Sequence, residues 1–190
     1  MSPSGMTVRE TDLPGVLVLE PPRYRDDRGY FMEVWEQRRY AEAGLPERFV
    51  QDNISVSKRG VLRGLHFQHP HPQGKLVSVL EGTIFDVAVD IRRGAPTFGR
   101  WVAEELSSET GRQMYVPEGF AHGFAVLSGR ALVHYKCTDF YAPDCEQSLH
   151  WSDPDLKIDW PLDAPIVSDK DDAAPTLATI GPDALPVYTG

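Results

Sequence analysis

Between Arg59 and Leu80 the sequence RGVLRGLHFQHPHPQGKLVSVL packs three histidines, two arginines and one lysine into 22 residues that otherwise read as strand. An imidazole is the side chain suited to take up a proton near neutral pH. A lysine beside it stabilises an oxygen that gains negative charge. A phenol on the other side of a bound molecule returns a proton to the opposite face. His66, Lys75 and, further along, Tyr135 supply these groups, and His122 adds a second imidazole after the turn at Pro117. This is the set that enolisation beside a ketone requires: a base for the α-proton, a cation for the enolate oxygen and an acid for the other face. Arg59, Arg63 and Lys75 concentrate positive charge in a chain of formal net charge −9. An anionic small ligand fits that arrangement. Nucleic acid, which needs a basic face, does not.

These side chains must be held by strands. Gly60–His66 leads out of a turn into a strand end, and Lys75–Leu80 is a second strand, so the pair reads as a cationic hairpin. Thr83–Ile91 alternates over its whole length, with Phe85, Val87, Val89 and Ile91 on one face and Ile84, Asp86, Ala88 and Asp90 on the other. Such a period of two marks a strand, and its second face is expected to meet water or a polar cavity. Arg130–Cys137 alternates in the same way, with Ala131, Val133, Tyr135 and Cys137 together. Phe49–Ser57 reads as a strand whose pattern is broken by Gln51, Asp52 and Asn53, the mark of a loop tip or a polar pocket wall. Further strands are predicted at Gly15–Glu20, Tyr30–Trp35, Trp101–Leu106, Gln113–Val116 and Gly123–Leu127. Gln37–Ala43 is a short helix closed by Gly44, Asp153–Ile158 a helical turn, and Ala164–Gly190 a surface wrap.

With 190 residues, 41% hydrophobic, and Gly and Pro at 16 each, the chain reads as one all-β domain of many short strands, a sandwich or barrel. Cys137 and Cys145 form neither a metal spacing nor a disulfide framework. No stretch approaches the length of a membrane span. The start, MSPSGMTVRETDLPG, lacks the apolar core of a signal peptide, so the cytoplasm is the expected compartment.

Two glycine–histidine signatures resemble the paired motifs of the cupin jelly roll. The first sets His66 six residues after Gly60, and the second orders Gly111, Pro117, Gly119 and His122. Gly and Pro fix the turns so that the histidines emerge on the inward face. In metal-binding cupins a second histidine and a glutamate follow. Here Gln68 stands in the first place and Pro72 or Gln73 in the second. Two histidines without a thiolate or carboxylate make a poor transition-metal site, so no metal and no other cofactor is expected.

RGLHFQ (63–68), QGKLV (73–77), FDVAVDIR (85–92), PTFG (96–99), PEGFAHGF (117–124) and YKCTD (135–139), with QDN (51–53) and SDKD (168–171), resemble the dTDP-4-dehydrorhamnose 3,5-epimerases. The likeness is collinear from about Gly15 to Leu177, leaving residues 178–190 as an unassigned tail of the single domain. It implies a metal-free cupin acting as a homodimer. The implied reaction converts dTDP-4-dehydro-6-deoxy-α-D-glucose to dTDP-4-dehydro-β-L-rhamnose by inverting C3 and C5. It further implies His66 as base, Asp171 as its dyad partner, Tyr135 as acid and Lys75 at the C4 oxygen. Arg63, His122, Gln51, Asn53, Glu146 and Lys170 match substrate-binding positions, and Asp52 lies within the same QDN motif. Tyr141 matches an aromatic that stacks on thymine. Arg28 and Glu33 match an N-terminal segment that in this family can reach the neighbouring subunit's site. A 3- or 5-monoepimerase with the same residues is the alternative.

Overall fold

The computed structural model describes residues 5–190. The strands are β1 (Thr7–Glu10), β2 (Leu17–Glu20), β3 (Arg23–Asp26), β4 (Gly29–Met32), β5 (Gln51–Lys58), β6 (Leu62–Gln68), β7 (Lys75–Glu81), β8 (Thr83–Asp90), β9 (Trp101–Ser107), β10 (Gln113–Val116), β11 (Phe120–Val126), β12 (Arg130–Cys137) and β13 (Glu146–Ser148). Two short helices, α1 (Gln37–Glu42) and α2 (Asp169–Asp172), lie outside them. The expected strand at Tyr30–Trp35 ends at Met32, because the chain then turns towards the Glu36 cap of α1, whose carboxylate accepts the Arg39 N–H at 2.9 Å.

One sheet has the order β1-β2-β10-β7-β12-β5, a second β13-β6-β11-β8-β9, and β3 with β4 forms a separate hairpin. The two large sheets face each other as a cupin-type jelly roll. Val77, Val79, Met114 and Val133 from the first interdigitate with Ile84, Ala88, Phe120 and Phe124 from the second. The outer face of the second sheet carries Leu65, Phe67, Val87, Val89 and Ile91, and is covered by Leu149, Leu156, Trp160 and Leu185. The outer face of the first is partly covered by Tyr40 and Leu45 packing on Leu19 and Leu76. No helix among the described residues is long and apolar enough to cross a membrane.

Several sequence expectations are corrected. β6 and β7 are not a hairpin: they belong to opposite sheets. The HPHPQG segment between them lacks two backbone donors at its prolines. It crosses the gap instead, tied down by Gly74 N–H to Thr138 Oγ1 (2.8 Å) and by Gln73 Nε2 to the Asp139 carbonyl (2.8 Å). Of the two surroundings expected for the Asp86 and Asp90 face of β8, water or a polar cavity, it meets the interior: both aspartates are 0% exposed, and Asp86 pairs with His122 of the cavity wall. Asp153–Ile158 makes a single turn and goes no further: the Lys157 N–H reaches the Asp153 carbonyl at 3.0 Å, the Asp153 carboxylate caps it by accepting the N–H groups of Asp155 and Leu156 at 2.8 and 3.1 Å, and Lys157 at φ 51° ends it. The C-terminal segment does wrap the surface. Ile166 bridges Val61, Leu185 is buried, and Val187 bridges Arg93.

Candidate active site

A cavity of about 370 Å³ lies between the sheets, lined by Gln51, Asn53, Ser55, Arg63, His66, Phe67, Gln68, Gln73, Lys75, His122, Phe124, Tyr135, Tyr141 and Glu146. Its walls have different origins. The larger sheet supplies Gln51, Asn53 and Ser55 from β5, Lys75 from β7 and Tyr135 from β12, with Tyr135 opposite Asn53 in register. The smaller sheet supplies Arg63 and His66 from β6, His122 from β11 and Glu146 from β13, with His66 opposite His122.

Arg63 and His66 are three residues apart, a spacing that puts strand residues on opposite faces. A register shift between His122 and Phe124, against Gly64, brings them to the same face. Gly64 has φ +118°, and a Cβ there would lie 2.6 Å from the Gly123 Cα. Both the left-handed backbone and the close approach require glycine.

His66 Nε2 is 2.6 Å from Asp171 Oδ1. Asp171 arrives from 105 residues away on α2, whose Ser168 cap accepts the Asp171 N–H at 3.1 Å, while the Gly64 N–H reaches Asp171 Oδ2 at 3.4 Å. An ionised carboxylate only accepts, so it holds the proton on Nε2 and leaves the lone pair on Nδ1. Burial pushes the Asp171 carboxyl upward, but the hydrogen bond and charge of His66, with Gly64 and Ser168, outweigh it and hold it below the usual carboxylate range.

A second pair lies beside the first on the same wall. His122 Nε2 is 2.7 Å from Asp86 Oδ1, and both side chains are buried. Asp86 Oδ2 has no partner within the described chain. Asp86 was not singled out from the sequence. Its signal was a carboxylate sharing a strand face with the apolar Ile84 and Ala88.

Burial lowers the Lys75 ammonium from its ordinary value, opposed by the charges of Cys137, Asp86 and Glu146. Burial raises the Tyr135 phenol, which therefore stays protonated at neutral pH. At the rim, Tyr141 donates to Glu146 Oε2 at 3.0 Å, and Lys170 Nζ bonds the same oxygen. Lys170 reaches the site only through that contact.

Three expected residues lie elsewhere. Asp52 alternates to the outer face of β5, where it pairs with Lys136 Nζ at 2.7 Å. Arg28 stands exposed on the β3–β4 turn, bonded to Asp26. Glu33 pairs with Arg39 at 3.0 Å, beside a smaller cavity formed with Pro21, Tyr24 and Phe31. None of the three lines the main cavity of its own chain. The two inward histidines are each engaged by a separate aspartate, and among the described residues no three His, Cys, Asp or Glu side chains converge as a metal-binding group.

Fold and site define a cupin-type jelly roll whose internal cavity is set up for proton transfer. The family model for dTDP-4-dehydrorhamnose 3,5-epimerase matches residues 10–179, and the chain belongs to that family. The dTDP-4-dehydrorhamnose 3,5-epimerase of Pseudomonas aeruginosa is 59% identical over 161 residues, 84% of this chain and 89% of that protein. The crystal structure of the Legionella pneumophila 3,5-epimerase RmlC, in complex with dTDP-4-keto-L-rhamnose, superimposes with a TM-score of 0.95 at 52% identity, covering 97% of this chain and 100% of that one. ChmJ, a 3'-monoepimerase from Streptomyces bikiniensis solved with dTDP-quinovose, gives a TM-score of 0.88 at 38% identity, covering 94% and 92%.

Proposed function

We propose that this protein is a dTDP-4-dehydrorhamnose 3,5-epimerase, converting dTDP-4-dehydro-6-deoxy-α-D-glucose to dTDP-4-dehydro-β-L-rhamnose. The observation that carries the reading is that His66, backed by Asp171, and Tyr135 look into one cavity from opposite sheets, with Lys75 beside Tyr135's strand.

Carbons 3 and 5 flank the C4 ketone, so a proton on either is acidified by it. His66 Nδ1 takes that proton. The electron pair moves into the enolate, and the Lys75 ammonium stabilises the oxygen that gains the charge. The Tyr135 hydroxyl then gives its proton to the carbon from the other side, which inverts the centre. Solvent returns the proton to the phenolate and removes the one on His66. A base that returned its own proton would regenerate the starting configuration, so two groups on two walls are needed. Arg63, His122, Gln51 and Asn53 hold the sugar and diphosphate, and Tyr141, Glu146 and Lys170 the nucleotide. The reading treats residues 1–190 as one cytoplasmic enzyme domain with its core at about 15–177.

Arg28 and Glu33 fit this reading in a homodimer, each reaching the other subunit's cavity. Support comes from the β3–β4 hairpin, which projects Tyr24, Tyr30 and Phe31 at 60%, 49% and 68% exposure. A fully active monomer in sedimentation would overturn that part.

The test is proton NMR of dTDP-4-dehydro-6-deoxyglucose with the enzyme in D₂O. Deuterium entry with inversion at both C3 and C5 is expected. Reaction at one centre only makes the protein a monoepimerase, a reading favoured by the likeness to ChmJ but at lower identity than to the 3,5-epimerases.

A further inference from the structure

We infer that Cys137 is a positioning residue for the substrate cavity, its sulfur ending a hydrogen-bond chain that starts at the rim and orients both amides of the β5 wall. The inference rests on the proposed reading of the cavity.

The chain begins at the backbone N–H of Tyr141, which donates to Gln51 Oε1 at 2.8 Å. Gln51 Nε2 donates to Asn53 Oδ1 at 3.1 Å, and Asn53 Nδ2 donates to Cys137 Sγ at 3.6 Å. A side-chain amide has two orientations of nearly equal shape, and only its partners choose between them. A backbone N–H can only donate, so the Gln51 oxygen must face Tyr141. That leaves the Gln51 nitrogen for the Asn53 oxygen, and the Asn53 nitrogen for sulfur. Each amide is thereby fixed from both ends, and the direction of the chain admits no reversal.

Cys137 is 1% exposed and does not line the cavity, so it acts on a bound sugar only through Asn53. Its place is set by β12, where it shares a face with Tyr135 and pairs in register with Gln51 on one side and Lys75 on the other. Asn53 is in turn the register partner of Tyr135. Loss of the sulfur leaves the Asn53 nitrogen unpartnered, while its oxygen stays held by Gln51 Nε2, so the amide loosens at one end without reversing. A donor on the cavity wall is then held by one partner instead of two. Tyr141, the rim aromatic, is tied by its backbone to the same chain, so nucleotide contact and sugar contact share one hydrogen-bonded wall.

Cys137→Ala removes the acceptor and Cys137→Ser restores one. With dTDP-4-dehydro-6-deoxyglucose, the alanine variant is expected to lose about two- to fivefold in kcat/KM, the worth of one weak hydrogen bond to sulfur, carried by KM. The serine variant is expected to recover most of it. In an Asn53→Ala background Cys137→Ala should add nothing. Wild-type kinetics in the alanine variant, an equal defect in both variants with equally lowered Tm, or independent effects in the double variant would each overturn the inference. A second arm needs no turnover. In the free protein, the side-chain amide resonances of Asn53 and Gln51 should be shifted and faster-exchanging in Cys137→Ala, and unchanged resonances overturn it. A wild-type protein that leaves the sugar unreacted would reject the enzymatic reading alone, because the amide arm still judges the chain.

Discussion

Asparagine at position 171 changes a pure acceptor into a group with one oxygen and one NH₂, at constant shape. The site decides which way that amide points. Asp171 Oδ2 receives the Gly64 N–H at 3.4 Å, and a backbone N–H requires an oxygen there. The new NH₂ therefore occupies the Oδ1 position, 2.6 Å from His66 Nε2 in the native site. Two donors cannot face each other, so the imidazole shifts its proton to Nδ1, and the nitrogen that should act as base carries a hydrogen. The same exchange in a serine-protease triad lowers turnover by about 10⁴ through the wrong tautomer, and that is the expected loss here. Asp171→Ala sets no tautomer and forfeits only the charge-assisted hydrogen bond, about 1.5–3 kcal/mol or roughly 10- to 150-fold. The larger truncation should thus be the milder change. The assay is deuterium incorporation at C3 and C5 followed by NMR, with Tm measured on both variants. An asparagine variant within tenfold of wild type, or one no worse than alanine at equal Tm, refutes the assignment of Nδ1 as base.

Tyr135→Phe should keep His66-dependent exchange of solvent deuterium but lose inversion, most clearly at C5; an equal fall in both, or in neither, removes the phenol from the acid role. Lys75→Ala should cost on the order of 3–4 kcal/mol in the transition state, seen in kcat, and a raised KM with unchanged kcat would make Lys75 a binding group only. Because burial lowers the Lys75 ammonium, wild-type turnover should fall at high pH through an apparent pKa below the ordinary lysine value of about 10.4, a limb read from the pH–kcat profile. Gly64→Ala should destabilise by more than about 1–3 kcal/mol and disrupt activity, since its φ of +118° and the 2.6 Å approach to Gly123 both exclude a Cβ; an unchanged Tm with full activity would refute the role of the bulge. The lowered carboxyl of Asp171 contributes stability that is full above the unfolded value of about 3.9 and is lost as pH falls through the folded value, so below about pH 4 wild type should lose Tm faster than Asp171→Asn.

The sequence by itself determined which residues share a strand face. Ala131, Val133 and Tyr135 were legible as one row because alternation is a local property of the pleat, and the turns before His66 and His122 because glycine and proline restrict the backbone locally. Family likeness supplied Asp171, which no spacing links to His66. Tertiary structure alone decided which face is inside and which strand meets which. Asp52 and Asn53 are adjacent, yet only Asn53 looks into the cavity. Whether Asp86 meets water or a polar cavity stays open until β8 is set against β11, where it holds His122. His66 and Lys75 read as neighbours on a hairpin until their strands part into opposite sheets. Arg63 and His66, three apart in the sequence, share a face only because of the bulge at Gly64. Local period fixes relations within a strand. Sheet order, register shifts and the docking of α2 arise from contacts between residues tens of positions apart, whose free energies depend on the whole packed core and leave no mark at short range.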